Sequence, residues 1–305
     1  MGVLCLRCDS GDQGLHTVLA TARSAPSSPE TCRAWRACGI ATPHVLALGR
    51  WGLAGLLLGW AARHELWEQR VVLRSNFWRF LAMGACGMWI CGAWVYVAGQ
   101  STGAMNISLI YASSPIFIAL GSVFLLGETF THWQKLGVAL ALGGVVHVVV
   151  QGEWMNVARI HLVPGDLWVL AASMAWAAYA LLQKRWRMPL SAKAFLGATC
   201  MGGSLVLFPF AGWELLQSDS PPLSEQAIWL MVLAALVPGV AAYWIYGWTQ
   251  SILGVGRVAV TLYLGPLYAA VAAWGFLGES LGWHHAVGGA FILSGVGLVV
   301  SANRS

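Results

Sequence analysis

The sequence predicts an all-α membrane protein built from two inverted repeats, on three observations. Apolar runs recur along the chain, each near the twenty residues needed to cross about 30 Å of hydrocarbon. Basic residues gather in alternate loops, and an ordered series of residues returns about 150 positions further on.

Composition sets the class. Of 305 residues, 58% are hydrophobic and only 10% charged, with a mean hydropathy of +0.67. A soluble domain carries about a quarter charged residues and needs them to cover a wet surface. The 36 glycines and 18 tryptophans suit close helix packing and interfacial anchoring in a bilayer. A net charge of +5 raises the question of nucleic acid. The basic residues lie in separate short loops, so no nucleic-acid partner is expected. Cys86, Cys91 and Cys200 fall in apolar runs and read as buried thiols. Cys5, Cys8, Cys32 and Cys38 crowd the first forty positions, and no compact Cys/His module follows the Cys5-x-x-Cys8 spacing, so no metal is expected there.

The spans are expected near 44–62, 80–98, 105–126, 136–150, 167–182, 194–210, 228–246, 258–277 and 286–300. That makes nine, and backbone satisfaction in lipid makes them helices. Arg63, Arg70, Arg74, Arg79, Lys135, Lys184, Arg185, Arg187, Lys193, Arg257 and Arg304 then share one side, against Arg159 on the other. The positive-inside rule makes the Arg-rich side and the C-terminus cytoplasmic.

The repeat is specific because its matches keep their order. Trp94-Val-Tyr96 and Gln100-Ser101 return as Trp244-Ile-Tyr246 and Gln250-Ser251 at an offset of 150. At 151, Pro115 matches Pro266, Gly127-Glu128 matches Gly278-Glu279, Gly137 matches Gly288 and Gly144 matches Gly295. An odd number of spans per half inverts the second copy, an arrangement typical of secondary transporters, whose solute site lies at the repeat interface.

These residues resemble the EamA family of the drug/metabolite transporter superfamily. The resemblance rests on Leu126-Gly-Glu128 and Leu277-Gly-Glu279, each followed by a Gly-rich span. Pro115, Pro266 and Leu48-Gly-Arg50-Trp51 add to it, and it covers residues 43–303. It implies ten helices in two inverted five-helix repeats, 41–152 and 164–303, with both termini cytoplasmic. It also implies export or exchange of amino acids, metabolites or drugs, mostly across bacterial inner membranes. The family is chemically diverse, so no particular substrate carries over.

Ten helices are expected and nine are visible. The repeat places the absent first helix near 16–35, where Arg23, Arg33, Glu30, Pro26 and Pro29 oppose insertion. Residues 1–40 therefore read as an atypical, disordered segment; length kept while composition changes fits a reading-frame shift. A native disordered tail is the alternative. An impaired, non-transporting membrane protein is the matching alternative to a transporter.

Candidate solute contacts follow from polarity inside spans. Arg50, deep in the first span, is costly there, about 2.5–3.5 kcal/mol, and needs a cavity or a partner. It either holds a substrate anion or snorkels to the interface. His147 reads more as a packed residue than a proton relay. Asn106, Tyr111 and Ser114 on one span and Tyr263 on its repeat partner fit a lined cavity. Trp94, Tyr96, Gln100, Trp176, Tyr179, Tyr243, Trp244 and Gln250 add aromatic and amide surface suited to an aromatic or amphipathic solute. Pro115, Pro266, Glu128 and Glu279 read as structural. With no phosphate loop, metal-ligand cluster or nucleophile–base set, neither catalysis nor a cofactor is expected. The partners are a small solute and the bilayer, and association of copies stays open.

The orientation is directly testable. Reporter fusions after Arg74, Gln217 and Arg304 should read cytoplasmic, external and cytoplasmic. An external reading after Arg304 would overturn the topology.

Overall fold

The computed structural model describes residues 42–99, 101–102, 104–155, 163–217, 225–265, 267–268, 271, 274 and 282–301, and every described element is a helix. Residues 1–40, with the reading-frame question and the four N-terminal cysteines, lie outside them. So do Gln100, Pro266, Glu279 and the side chain of Asn106.

In chain order the α-helices are α1 Pro43–Ala61, α2 Arg63–Glu68, α3 Arg70–Ser75, α4 Phe77–Gly84, α5 Cys91–Ala98, α6 Ala104–Tyr111, α7 Ser114–Leu126 and α8 His132–Val149. They continue as α9 Pro164–Arg185, α10 Ala192–Leu216, α11 Glu225–Ala234, α12 Ala242–Leu253, α13 Val255–Thr261 and α14 Trp283–Ser301. π-helical turns join α4 to α5 over Ala85–Ile90 and α11 to α12 over Ala235–Ala241, and a 3₁₀ turn, Leu262–Leu264, follows α13.

Among the described residues, five stretches are long and apolar enough to cross a membrane: Phe77–Ala98, Ile107–Leu126, Pro164–Arg185, Ala192–Leu216 and Met231–Leu253. The expected nine are not all of this kind. Helix α1 carries His44 and Arg50, and α8 opens on His132-Trp-Gln-Lys135, which dilutes their hydropathy. The surface fits lipid rather than water. Phe124, Leu216, Phe208 and Trp213 are 80%, 84%, 68% and 70% exposed, an apolar display soluble monomers avoid.

Departures from the expected spans have local causes. The Arg-rich segment after α1 is helical rather than a loop. The expected 105–126 span breaks at Ala112–Ser113 because Pro115 has no N–H to continue the ladder. The freed carbonyls are taken locally: Ser114 Oγ donates to Tyr111 O (2.7 Å) and Ser113 Oγ to Ile110 O (2.5 Å).

The chain forms two compact units, each combining segments from both halves. One comprises Ala98–Ser173 with Leu253–Ser305. Here α8 and α14 cross where side chains vanish. A Cβ on Gly137 would lie 2.6 Å from Gly295 O, and one on Gly144 would lie 2.6 Å from Gly288 O. Around this crossing Val145, Val260, Tyr263 and Ile292 form a buried core. Thr131 and Gln134 open α8 with a reciprocal capping box.

The repeated Gly-Glu pair has a physical function in its first copy. Gly127 closes α7 at φ +67°, and the Glu128 N–H donates back to Ser122 O at 3.1 Å. That turn aims the Glu128 carboxylate at the start of α13, where it accepts from Val255 N (3.2 Å) and Gly256 N (3.1 Å). It serves the bare N–H groups of a helix terminus and its positive dipole end.

The other unit comprises Gly39–Val97 with Met174–Ile252. Helix α1 packs along α10, with Gly55 against Cys200 and Met201 and Gly197 against Leu58. Pro43 sits in the first turn of α1, and the Thr42 side chain makes no capping bond. Glu214 from the end of α10 supplies the cap, accepting from His44 N (2.9 Å), Val45 N (3.3 Å) and His44 Nδ1 (2.6 Å).

Removing the Glu128 cap with Glu128→Ala should cost about 1–2 kcal/mol of stability, read as earlier thermal unfolding in detergent. Glu128→Gln, which keeps an acceptor, should retain most of the stability and transport; a proton-carrying carboxylate would lose transport in the Gln variant with its fold intact. Gly144→Val should sharply reduce folded yield, because a Cβ has no room beside Gly288.

Candidate functional site

The site is built from the unit formed by Gly39–Val97 and Met174–Ile252. Its centre is Arg50, halfway along α1 and only 3% exposed. Such burial is unlike a side chain reaching for an interface. Its guanidinium lies 4.3 Å from the Trp51 ring centroid, a cation–π distance. Its hydrogen bonds are long and go to neutral oxygens: Tyr96 Oη at 3.4 Å and Pro238 O at 3.3 Å. Among the described residues Nε has no partner and Arg50 makes no ion pair. The neighbouring Trp51 indole N–H is likewise buried without a partner. The local surplus is therefore of donors and positive charge.

The carbonyls that face this centre come from interrupted helices. Pro238 sits inside the second π turn, and its O is the one Arg50 reaches. In the first π turn, Gly87 O accepts from Tyr243 Oη at 3.3 Å. π turns loosen the backbone ladder and are frequent at functional positions. The two begin at Ala85 and Ala235, an offset of 150 that coincides with the sequence repeat.

Aromatic rings surround the centre. Tyr243 meets Trp51 edge-on at 4.8 Å and Trp176 at 5.1 Å, while Trp176 also lies 5.6 Å from Tyr179 and 5.1 Å from Tyr246. Glycine permits this density. A Cβ on Gly87 would lie 2.7 Å from the Tyr179 ring, and one on Gly92 would lie 2.8 Å from the Trp51 indole nitrogen. Trp176 and Tyr179 are three residues apart and share one face of α9.

Of the residues singled out in the sequence, Arg50, Tyr96, Trp176, Tyr179 and Tyr243 come together here. Trp94 packs edge-on against Trp89 at 5.7 Å. Trp244 is half exposed on the flank of the unit. Gln250 is buried with its amide nitrogen donated to Ala180 O at 2.7 Å, a helix-to-helix tie. In the other unit, Ser114 Oγ lies 3.0 Å from Ser173 Oγ, and Pro115 is buried at the start of α7. Tyr111 is half-buried on α6. Tyr263 is buried, and its hydroxyl has no partner among the described residues. His147 is also buried, with Nε2 unpartnered between the Trp154 and Trp283 rings at 5.8 and 5.2 Å. Among the described residues no group of three His, Cys, Asp or Glu side chains could hold a metal ion.

Sequence reasoning missed Pro238 and Gly87, which act through their carbonyls. For the second π turn a proline inside an apolar run was the available signal, because its missing N–H interrupts the helical ladder there; nothing local to Gly87 announced the first.

Comparison with known proteins agrees with this architecture. The model of the EamA-like transporter family matches twice, over residues 36–150 and 163–301. An uncharacterized transporter of Archaeoglobus fulgidus is 28% identical over 85% of this chain and 88% of its own. The uncharacterized transporter YyaM of Bacillus subtilis is 24% identical, covering 85% of this chain and 84% of its own. A probable terminal-alkyne amino-acid exporter of Streptantibioticus cattleyicolor is 29% identical over 64% of each chain. A crystal structure at 18% identity shares the fold with a TM-score of 0.70, covering 90% of this chain and 93% of that one. Membrane-crossing helices and transporter relatives together make this a multi-pass membrane protein. The chain belongs to the EamA-like transporter family.

Proposed function

We propose that the protein is a secondary transporter that exports a small carboxylate-bearing solute by alternating access, with Arg50 as the anchor for the carboxylate. The observation that carries this reading is a buried guanidinium with neither a carboxylate nor a full set of acceptors among the described residues. An uncompensated charge in a low-dielectric interior is strongly unfavourable. A solute carboxylate entering beside Arg50 would supply the missing charge and accept from its N–H fork. The rings of Trp51, Trp176, Tyr179 and Tyr243 suit the apolar remainder of such a solute. An amino acid fits this description, and one relative is named as an amino-acid exporter.

The proposed architecture is two inverted five-helix repeats in the cell membrane, of which nine spans are legible, with a cytoplasmic C-terminus. Matched π turns and the twofold family match support the repeat. Inversion is supported by the glycine crossing. Gly137 meets Gly295 and Gly144 meets Gly288, and exchanging each glycine for its repeat partner maps one contact onto the other.

Arg50→Ala should reduce solute flux at least about tenfold while leaving the amount of inserted protein unchanged, since a charge-assisted bidentate contact is worth more than about 1.4 kcal/mol. Arg50→Lys should restore only part of the flux, because the fork is lost. Full flux in Arg50→Ala would refute the assignment.

A further inference from the structure

A second feature of the same unit opens at the end of α9. A groove of about 440 Å³ opens between the end of α9, the start of α10 and the flank of α12. Its rim carries Lys184 and Arg187, and its wall carries Trp244 and Trp248, which are 50% and 59% exposed. Among the described residues neither Lys184 nor Arg187 makes an ion pair. Gln183 adds a third polar group at the rim. Its Oε1 is buried with no partner, while its Nε2 packs where a Cβ on Gly247 would lie 2.8 Å away. The nearby carboxylate that could have neutralised this rim, Glu65, is spent on the loop before α10, accepting from Ser191 N and Ser191 Oγ at 2.5 Å each.

We infer that this groove binds an anionic phospholipid whose headgroup carries hydroxyl donors. The argument is one of graded chemistry along the groove. At the helix ends two cations stand unneutralised beside an acceptor that lacks a donor. A headgroup phosphate satisfies the cations, and a glycerol hydroxyl satisfies Gln183 Oε1. Deeper along α12 the wall becomes indole and aliphatic, and it faces outward, where only an apolar chain can lie against it. A free phosphate would leave this wall empty, and a neutral lipid would leave the cations unpaired. A basic pocket between spanning helices at the membrane interface is a recognised mode of headgroup capture. The groove's lining reaches Tyr243, one of the rings near Arg50, but the groups that carry the inference, Gln183, Lys184, Arg187, Trp244 and Trp248, are not among those proposed to hold the solute.

The test uses the purified full chain in detergent, with bound lipid counted by native mass spectrometry. Phosphatidylglycerol, phosphatidylcholine and inorganic phosphate are the probes. Phosphatidylglycerol should bind at least about fivefold more tightly than phosphatidylcholine, and a tenfold excess of inorganic phosphate should not displace it. The Lys184→Gln/Arg187→Gln pair should abolish that preference, whereas Lys193→Gln, at the same end but outside the groove, should preserve it. Trp248→Ala should weaken both lipids alike. Equal binding of the two lipids, displacement by inorganic phosphate, retention of the preference in the double variant, or equal loss in Lys193→Gln would each overturn the inference.

Discussion

The structure depends on one constraint: a polar group removed from water must find its partner inside the protein. Helices meet this along their length but leave bare N–H groups at each start. This chain answers with carboxylates delivered from distant parts of the sequence. Glu214 serves the start of α1, and Glu128 serves the start of α13. Asp166 serves its own helix start, accepting from Val163 N and from Thr102. Glu65 secures the residue before α10. With only 12 acidic residues in the chain, these uses leave the basic groups under-neutralised. Arg50 is the extreme case because it is buried among rings and makes no ion pair among the described residues.

The same constraint explains why interrupted helices surround the candidate site. A regular helix consumes every carbonyl internally. At Ala85–Ile90 and Ala235–Ala241 the ladder widens, and Gly87 O and Pro238 O reach outward to Tyr243 and Arg50. In the other unit Pro115 frees carbonyls that two serines recapture. Glycines supply the complementary freedom, letting α8 meet α14 backbone to backbone, Tyr179 press against the first π turn and Trp51 against α5.

Much of this was legible in the sequence because it depends on local composition. The five membrane-crossing stretches follow apolar runs of the sequence, and Arg50 stands out as a charge within a further apolar run, that of α1. Trp176 and Tyr179 share a face by spacing alone. What escaped was long-range or sub-helical. Hydropathy averaged over about nineteen residues cannot see a single π turn or the break before Pro115. The reach of Glu214 to His44 spans 170 positions, and no spacing rule announces it. Gln250, singled out as amide surface, lines the groove beside α9 and also donates its amide to Ala180 O, a tie that no spacing rule announces.

The central claim is that the buried positive charge is matched by a negative charge on the solute, and solute chemistry tests it most directly. In proteoliposomes containing the purified protein and one transported carboxylate, counterflow can be competed by that solute and by its neutral primary amide, equal in size and shape. The account predicts that the carboxylate competes at least about tenfold better than the amide, the margin expected of a charge-assisted contact in a low-dielectric site. Equal competition by the two would contradict it, because the Arg50 charge would then play no part in holding the solute.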